Sequence, residues 1–76
     1  MSKSEASERI RDIFTGILRD LPESFGEEQP FTELGGTSMD AMKLQMELRR
    51  TFGRKISLAE LYELGSVSGI AERMTE

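Results

Sequence analysis

The sequence predicts an all-α fold, a four-helix bundle with a long first connection and a short third helix. Three observations point there. Apolar residues recur at i, i+3, i+4 and i+7 in separate segments. Two segments open with Ser or Thr followed three residues later by an acid, the signature of a capping box. No stretch shows the two-residue alternation of a strand.

The first helix is expected from about Glu5 to Leu21, where Ala6, Ile10, Ile13, Phe14, Ile17, Leu18 and Leu21 share one face. Pro22 should end it, because the residue before a proline is biased away from helical geometry. From Pro22 to Gly36 the pattern breaks, with Pro30, Gly26 and Gly35 as further interruptions and only Phe25, Phe31 and Leu34 as apolar anchors. A connection of about 15 residues exceeds the usual median of roughly 4–6, which marks it as a candidate functional loop. The second helix should start near Thr37, with Thr37-x-x-Asp40 as its capping box, and run to Phe52 before Gly53. Ser57-Leu58-Ala59-Glu60 opens a short third helix that Gly65 stops after Leu64. Ser66 caps a last helix whose face is Val67, Ile70, Ala71 and Met74. No repeat or second domain is visible, so residues 1–76 read as one domain.

Composition narrows the function. Ten basic against fourteen acidic residues give a formal charge of −4, a poor match to the phosphates of nucleic acid or to an anionic membrane. Without Cys there is no disulfide, thiolate nucleophile or Cys-based metal site; without His the commonest general base and metal ligand is missing. No apolar run approaches a membrane span, and the start MSKSEASERIRD lacks the apolar part of a signal peptide. A cytoplasmic, non-catalytic monomer without a metal is expected.

The informative stretch is Leu34-Gly35-Gly36-Thr37-Ser38-Met39-Asp40. Two glycines let the backbone turn sharply. Ser38 then falls in the first turn of a helix, where free N–H groups and the helix dipole favour an attached anion such as a phosphate ester. Taken alone, the residues favour a plainer reading, a loop end with Thr37 or Ser38 as cap. A hydrolase elbow fails, since no glycine follows at the required place and no histidine exists. A phosphate-binding P-loop fails for want of Gly-Lys-Ser/Thr. If Ser38 is used chemically, another protein must activate it.

Here the chain resembles the phosphopantetheine-dependent carrier proteins. The matching elements are the first amphipathic helix and Phe31-x-x-Leu34-Gly35-Gly36-Thr37-Ser38-Met39. Ala41-Met42-x-Leu44, Leu48, Phe52-Gly53, Ile56 and the closing Ser66-Val67-x-x-Ile70-Ala71 follow in register. The resemblance implies 4'-phosphopantetheine moved from coenzyme A onto Ser38 by a phosphopantetheinyl transferase, with Gly36, Thr37 and Met39 around the attachment point. The arm's thiol would then carry an aminoacyl, peptidyl or acyl group as a thioester. The double glycine is most like the peptidyl carriers of nonribosomal peptide synthesis, which implies an adenylation enzyme and condensation, tailoring or thioesterase enzymes as partners. Thr37 stands where fatty-acid carriers more often have Asp and where His or Asp is common in peptidyl carriers. Beginning at Met1, the chain is expected to be free-standing rather than one module of a synthase. An acyl carrier of polyketide or fatty-acid type is the alternative, and an unmodified helical interaction domain the more distant one.

On a helical wheel Ala41, Leu44, Leu48 and Phe52 face the bundle, whereas Met39, Met42 and Met46 lie on the opposite side. The plain reading is helix propensity or partial burial under the loop. The functional reading is an adaptable docking stripe, with Met39, Met42, Lys43 and Met46 as candidate partner contacts. Lys43, Arg49 and Arg50 flank it, with Glu47 to one side. The equivalent helix of fatty-acid carriers is acidic, so this one departs from that pattern. The acids Asp20, Glu23, Glu27, Glu28 and Glu33 fall in or beside the loop, as solvated surface. The bulky residues needed to close the core point to a small cargo, an amino acid or related acid rather than a long fatty chain.

Overall fold

The computed structural model describes residues 1–76, which form four helices and no strand. They are α1 (Lys3–Ile17), α2 (Ser38–Phe52), α3 (Leu58–Leu64) and α4 (Val67–Met74). Each starts with a hydroxyl cap. Ser2, Thr37, Ser57 and Ser66 accept from the backbone N–H of Glu5, Asp40, Glu60 and Gly69. Both expected capping boxes are complete, and Gly53 ends α2 in the left-handed region at φ 69°.

The end of α1 differs from the expected Leu21. The helix stops after Ile17, and Leu18 turns extended (φ −83°, ψ 130°) while its N–H still donates to Phe14 O. Pro22 therefore does not set the stop. The apolar spacing persists past Ile17 because the extended chain folds Leu18 into the core and half-buries Leu21 against it. A helical Leu18 would satisfy the same period, so the period alone could not separate the two.

The core draws Ala6, Ile10 and Phe14 from α1, Ala41, Leu44 and Leu48 from α2, Leu61 from α3, and Val67, Ile70, Ala71 and Met74 from α4. Phe52, expected on the same face as Leu48, is only half-buried at its edge. Fully burying a Leu, Ile or Phe is worth about 1.5–3 kcal/mol, and this helical layer is completed by Phe25, Phe31 and Leu34 from the long loop.

That loop is docked along its length. The Phe25 ring stacks on Phe14 at 6.0 Å, Arg11 lies 3.9 Å over the Phe25 ring, and Arg11 Nη2 donates to Phe25 O at 2.7 Å. Phe31 N–H donates to Gly65 O and Ser68 N–H to Glu27 O, each at 2.8 Å, tying the loop to the α3–α4 turn. Elsewhere Gln45 Nε2 donates to Ile56 O at 2.7 Å, and Arg54 Nη1 reaches the carbonyls of Met74 and Glu76 at 3.1 and 2.8 Å. No buried side-chain polar atom lacks a partner, and no helix is long and apolar enough to cross a membrane.

Candidate functional site

The loop delivers Ser38 to an exposed corner. Gly35 and Gly36 do this in two different ways. Gly35 has φ +88°, a conformation that costs a side-chain-bearing residue about 1–2 kcal/mol. Gly36 is needed for close approach: a Cβ there would lie 2.8 Å from Phe31 O and 3.2 Å from a Leu18 methyl. Its N–H donates to Phe31 O at 2.8 Å, which closes the loop back on itself immediately before α2.

Thr37, not Ser38, is the cap. Its Oγ1 accepts from Asp40 N–H at 3.2 Å, and Asp40 Oδ2 accepts from Thr37 N–H at 2.9 Å. The Thr37 backbone bond, followed by the Thr37 side chain and the charges of Lys43 and Arg19, holds the Asp40 carboxyl below its ordinary value against a smaller opposing effect of desolvation. Because Thr37 does the capping, Ser38 is left exposed at the first position of α2, with a hydroxyl that makes no hydrogen bond to the protein. The hydroxyls of Ser2, Ser57 and Ser66 are engaged as caps, whereas those of Ser4, Ser7, Ser24 and Ser68 are as free as that of Ser38 but do not follow a glycine pair into a helix start. The backbone N–H groups of Ser38 and Met39 also have no protein acceptor. An uncommitted hydroxyl on an exposed corner fits covalent attachment of a phosphopantetheine group, which needs access for a transferase and room for the arm.

The other expected site residues fall on two sides of α2. Met39, Met42 and Met46 are 70%, 59% and 67% exposed, so they are not covered by the loop. Met42 and Met46 border a groove of about 710 Å³ with Gln45, Arg49, Ile56 and Lys55, between α2 and the α2–α3 connection. Met39 and Lys43 instead line a smaller cleft of about 280 Å³ towards the end of α1, where Arg19, Ile17, Leu34 and Gly35 complete the wall. Gly36, Thr37, Ser38 and Met39 are thus together at one corner, and Lys43, absent from the groove with Met42, shares a further cleft with Met46, Ile13 and Ile17 between α1 and α2. The sequence reading passed over Arg19 and Lys55, which lie outside the helices, and the exposed Leu58 and Tyr62 on α3. Leu58 and Tyr62 had a signal: a seven-residue helix that buries Leu61 leaves an i, i+4 apolar pair over.

Comparison with known proteins gives a consistent picture. Residues 8–74 match the family described as "Phosphopantetheine attachment site". The chain is 33% identical over 72 residues to a dimodular nonribosomal peptide synthase of Bacillus subtilis (strain 168), covering 95% of this chain and 3% of that protein. The McyG A-PCP structure complexed with phenylalanyl-adenylate superposes with a TM-score of 0.83 at 33% identity, over 92% of this chain and 11% of that one. BlmI, a type-II acyl-carrier-protein from Streptomyces verticillus involved in bleomycin biosynthesis, shares the fold. Its TM-score is 0.84 at 23% identity, over 96% of this chain and 86% of BlmI. The chain therefore spans a small fraction of the length of the curated synthase that it matches.

Proposed function

The chain belongs to the phosphopantetheine attachment-site family, and from that premise we propose that Ser38 bears the arm and that the cargo is an aminoacyl or peptidyl group. The family assigns a carrier of intermediates on covalently attached 4'-phosphopantetheine. The observation that carries Ser38 is its exposed, unbonded hydroxyl at the start of α2, released from capping by Thr37. When bound, the group supplies a terminal thiol that holds an acyl group as a thioester, chemistry that a chain without Cys cannot supply itself. The protein's own residues hold the attachment point: Gly35 and Gly36 shape the approach, Thr37 and Asp40 lock the first turn, and Met39 stands beside it. On this reading the chain is not an enzyme. Its partners are a phosphopantetheinyl transferase, an adenylation enzyme, and condensation, tailoring or thioesterase enzymes, with Met42 and Met46 among the contacts.

The aminoacyl reading is supported by similarity to the nonribosomal synthase and by the core itself. The gap between α1 and α2, walled by Phe14, Leu18, Phe31 and Leu44, has no space that admits even a water molecule. A long acyl chain finds no ready channel there.

Incubation with coenzyme A and a broad-specificity transferase is expected to add one phosphopantetheine by mass, and none to a Ser38→Ala variant. Modification of that variant at the wild-type level would remove Ser38 from the role. The modified protein, offered to amino-acid adenylation enzymes in competition with a fatty-acid loading enzyme, is expected to be charged with an amino acid. Preferential long-chain charging, with thermal stability rising with chain length, would instead establish the acyl carrier alternative.

A further inference from the structure

Four regions were not absorbed by the attachment chemistry: the Met42–Met46 groove, a cleft between α1 and α2 lined by Ile13, Lys43 and Met46, a polar recess between the start of α1 and Ser68, and the cleft beside Met39. The last of these carries an inference. We infer that it is a binding site for the arm itself, in which Arg19 and Lys43 hold the phosphodiester and the apolar wall of Ile17, Leu34 and Met39 takes the arm's gem-dimethyl segment. This rests on Ser38 being the attachment residue.

Four observations converge. The first is position: Thr37 and Met39, the residues on either side of Ser38, both line the cleft, so a group attached to Ser38 starts at its rim. The second is charge. The charged groups of the cleft are Arg19, Lys43, Asp20 and Asp40. The Asp40 carboxylate is already committed to the Thr37 N–H and the end of α2. Two cations therefore stand against two carboxylates and the cleft is neutral overall; with Asp40 turned to the Thr37 N–H, Arg19 and Lys43 are the charged donors it can offer a phosphodiester. The third is availability. The side-chain ion pairs of the molecule are Arg50–Glu47 and Arg73–Glu60, so neither Arg19 nor Lys43 is engaged in one. The fourth is composition and size. At about 280 Å³ the cleft lies just below the roughly 300–1,000 Å³ of typical small-molecule sites, and its mixed wall suits a chain that alternates amides with an apolar branch.

Holding the arm there would keep it against the surface between encounters. Exposed ion pairs are weak, so a partner enzyme could draw the arm out at little cost.

The test uses the full chain, modified with coenzyme A and excess transferase until mass spectrometry shows complete conversion, as wild type and as an Arg19→Gln, Lys43→Gln double variant. In the wild type, NOEs are expected between the arm's gem-dimethyl protons and the side chains of Met39, Ile17 or Leu34. The phosphorus-31 resonance should be displaced from that of free phosphopantetheine and move towards it as salt is added. In the double variant the NOEs are lost and the phosphorus resonance sits at the free position. Absence of NOEs in the wild type, or phosphorus resonances that coincide in the two proteins, overturns the inference while leaving Ser38 as attachment site. Failure of the wild type to gain the phosphopantetheine mass overturns the attachment reading and this inference together.

Discussion

Gly36 sits within contact distance of a carbonyl that its own N–H also binds, so the position tolerates neither a side chain nor a different backbone path. Gly36→Ala should overpack the contact with Phe31 and Leu18, at a cost of about 1–3 kcal/mol. In a domain of this size each kcal/mol corresponds to roughly 4–8 °C in Tm, so a fall of several degrees is expected by calorimetry. An unchanged Tm would mean that the loop yields freely. The sequence made the pair Gly35-Gly36 legible as a turn. It could not separate the positive φ of Gly35 from the steric requirement of Gly36, because the latter depends on where Phe31 lands, five residues away across the loop. The free hydroxyl of Ser38 was half legible for a similar reason. The i, i+3 spacing of Thr37 and Asp40 announced a capping box, and only the geometry showed that it leaves Ser38 uncommitted.

At the level of elements, local rules read well and non-local ones did not. The starts of α2 and α3 follow from side chains three residues apart, and the bounds of α4 from its cap and apolar face. The end of α1 depends on Leu18 meeting the loop, which no local pattern encodes. The shortest helix, α3, is secured by one residue with two tasks. Glu60 accepts from Arg73 Nε of α4 at 3.1 Å and from Ser57 N–H at 3.4 Å, in that order the main reasons its carboxyl is held below the ordinary 4.5. A carboxyl with a lowered folded-state pKa adds stability above its unfolded value and loses it as pH falls through the folded one. Acidification below about 4.5 should therefore weaken the α3–α4 corner, with Asp40 adding to the loss below its ordinary 3.8. Glu60→Gln should lower stability at neutral pH and flatten the fall in stability between pH 5 and pH 3, read by urea titrations. A variant with the wild-type acid slope would show that Glu60 contributes nothing to it.

Across the whole molecule, charge and apolar surface are segregated. The net charge is −4, yet Lys43, Arg49, Arg50 and Lys55 gather on and around α2, while Asp20, Glu23, Glu27, Glu28 and Glu33 lie in the stretch after α1. On the same α2 face three methionines are more than half exposed. Such side chains add little to the fold, so a Met42→Ala, Met46→Ala variant should keep its helical circular dichroism and its stability within about 0.5 kcal/mol. Its acylation or transfer by partner enzymes should fall, since unbranched methionines suit a surface that meets several proteins. Unfolding of the variant with unchanged kinetics per folded molecule would make the stripe structural. The helical wheel made the outward stripe legible. The division of α2 into a groove on one side and a cleft on the other was not, because the α2–α3 connection and the end of α1 form the opposing walls.

The docking of the long connection onto the α3–α4 turn has a consequence for motion. Amide hydrogens in an irregular segment or in the first turn of a helix ordinarily exchange with solvent quickly, yet those of Phe31 and Gly36 in the loop and Ser68 in α4 are held by Gly65, Phe31 and Glu27 carbonyls beside buried rings. Their exchange should be slow and should follow global opening of the domain rather than local fraying, measurable by deuterium exchange in NMR. Fast exchange at all three would show that the loop breathes independently. With the loop exchanging as part of the bundle, Ser38 stands on a stationary base, and the reach of anything tied to it is set by the tether's own rotatable bonds.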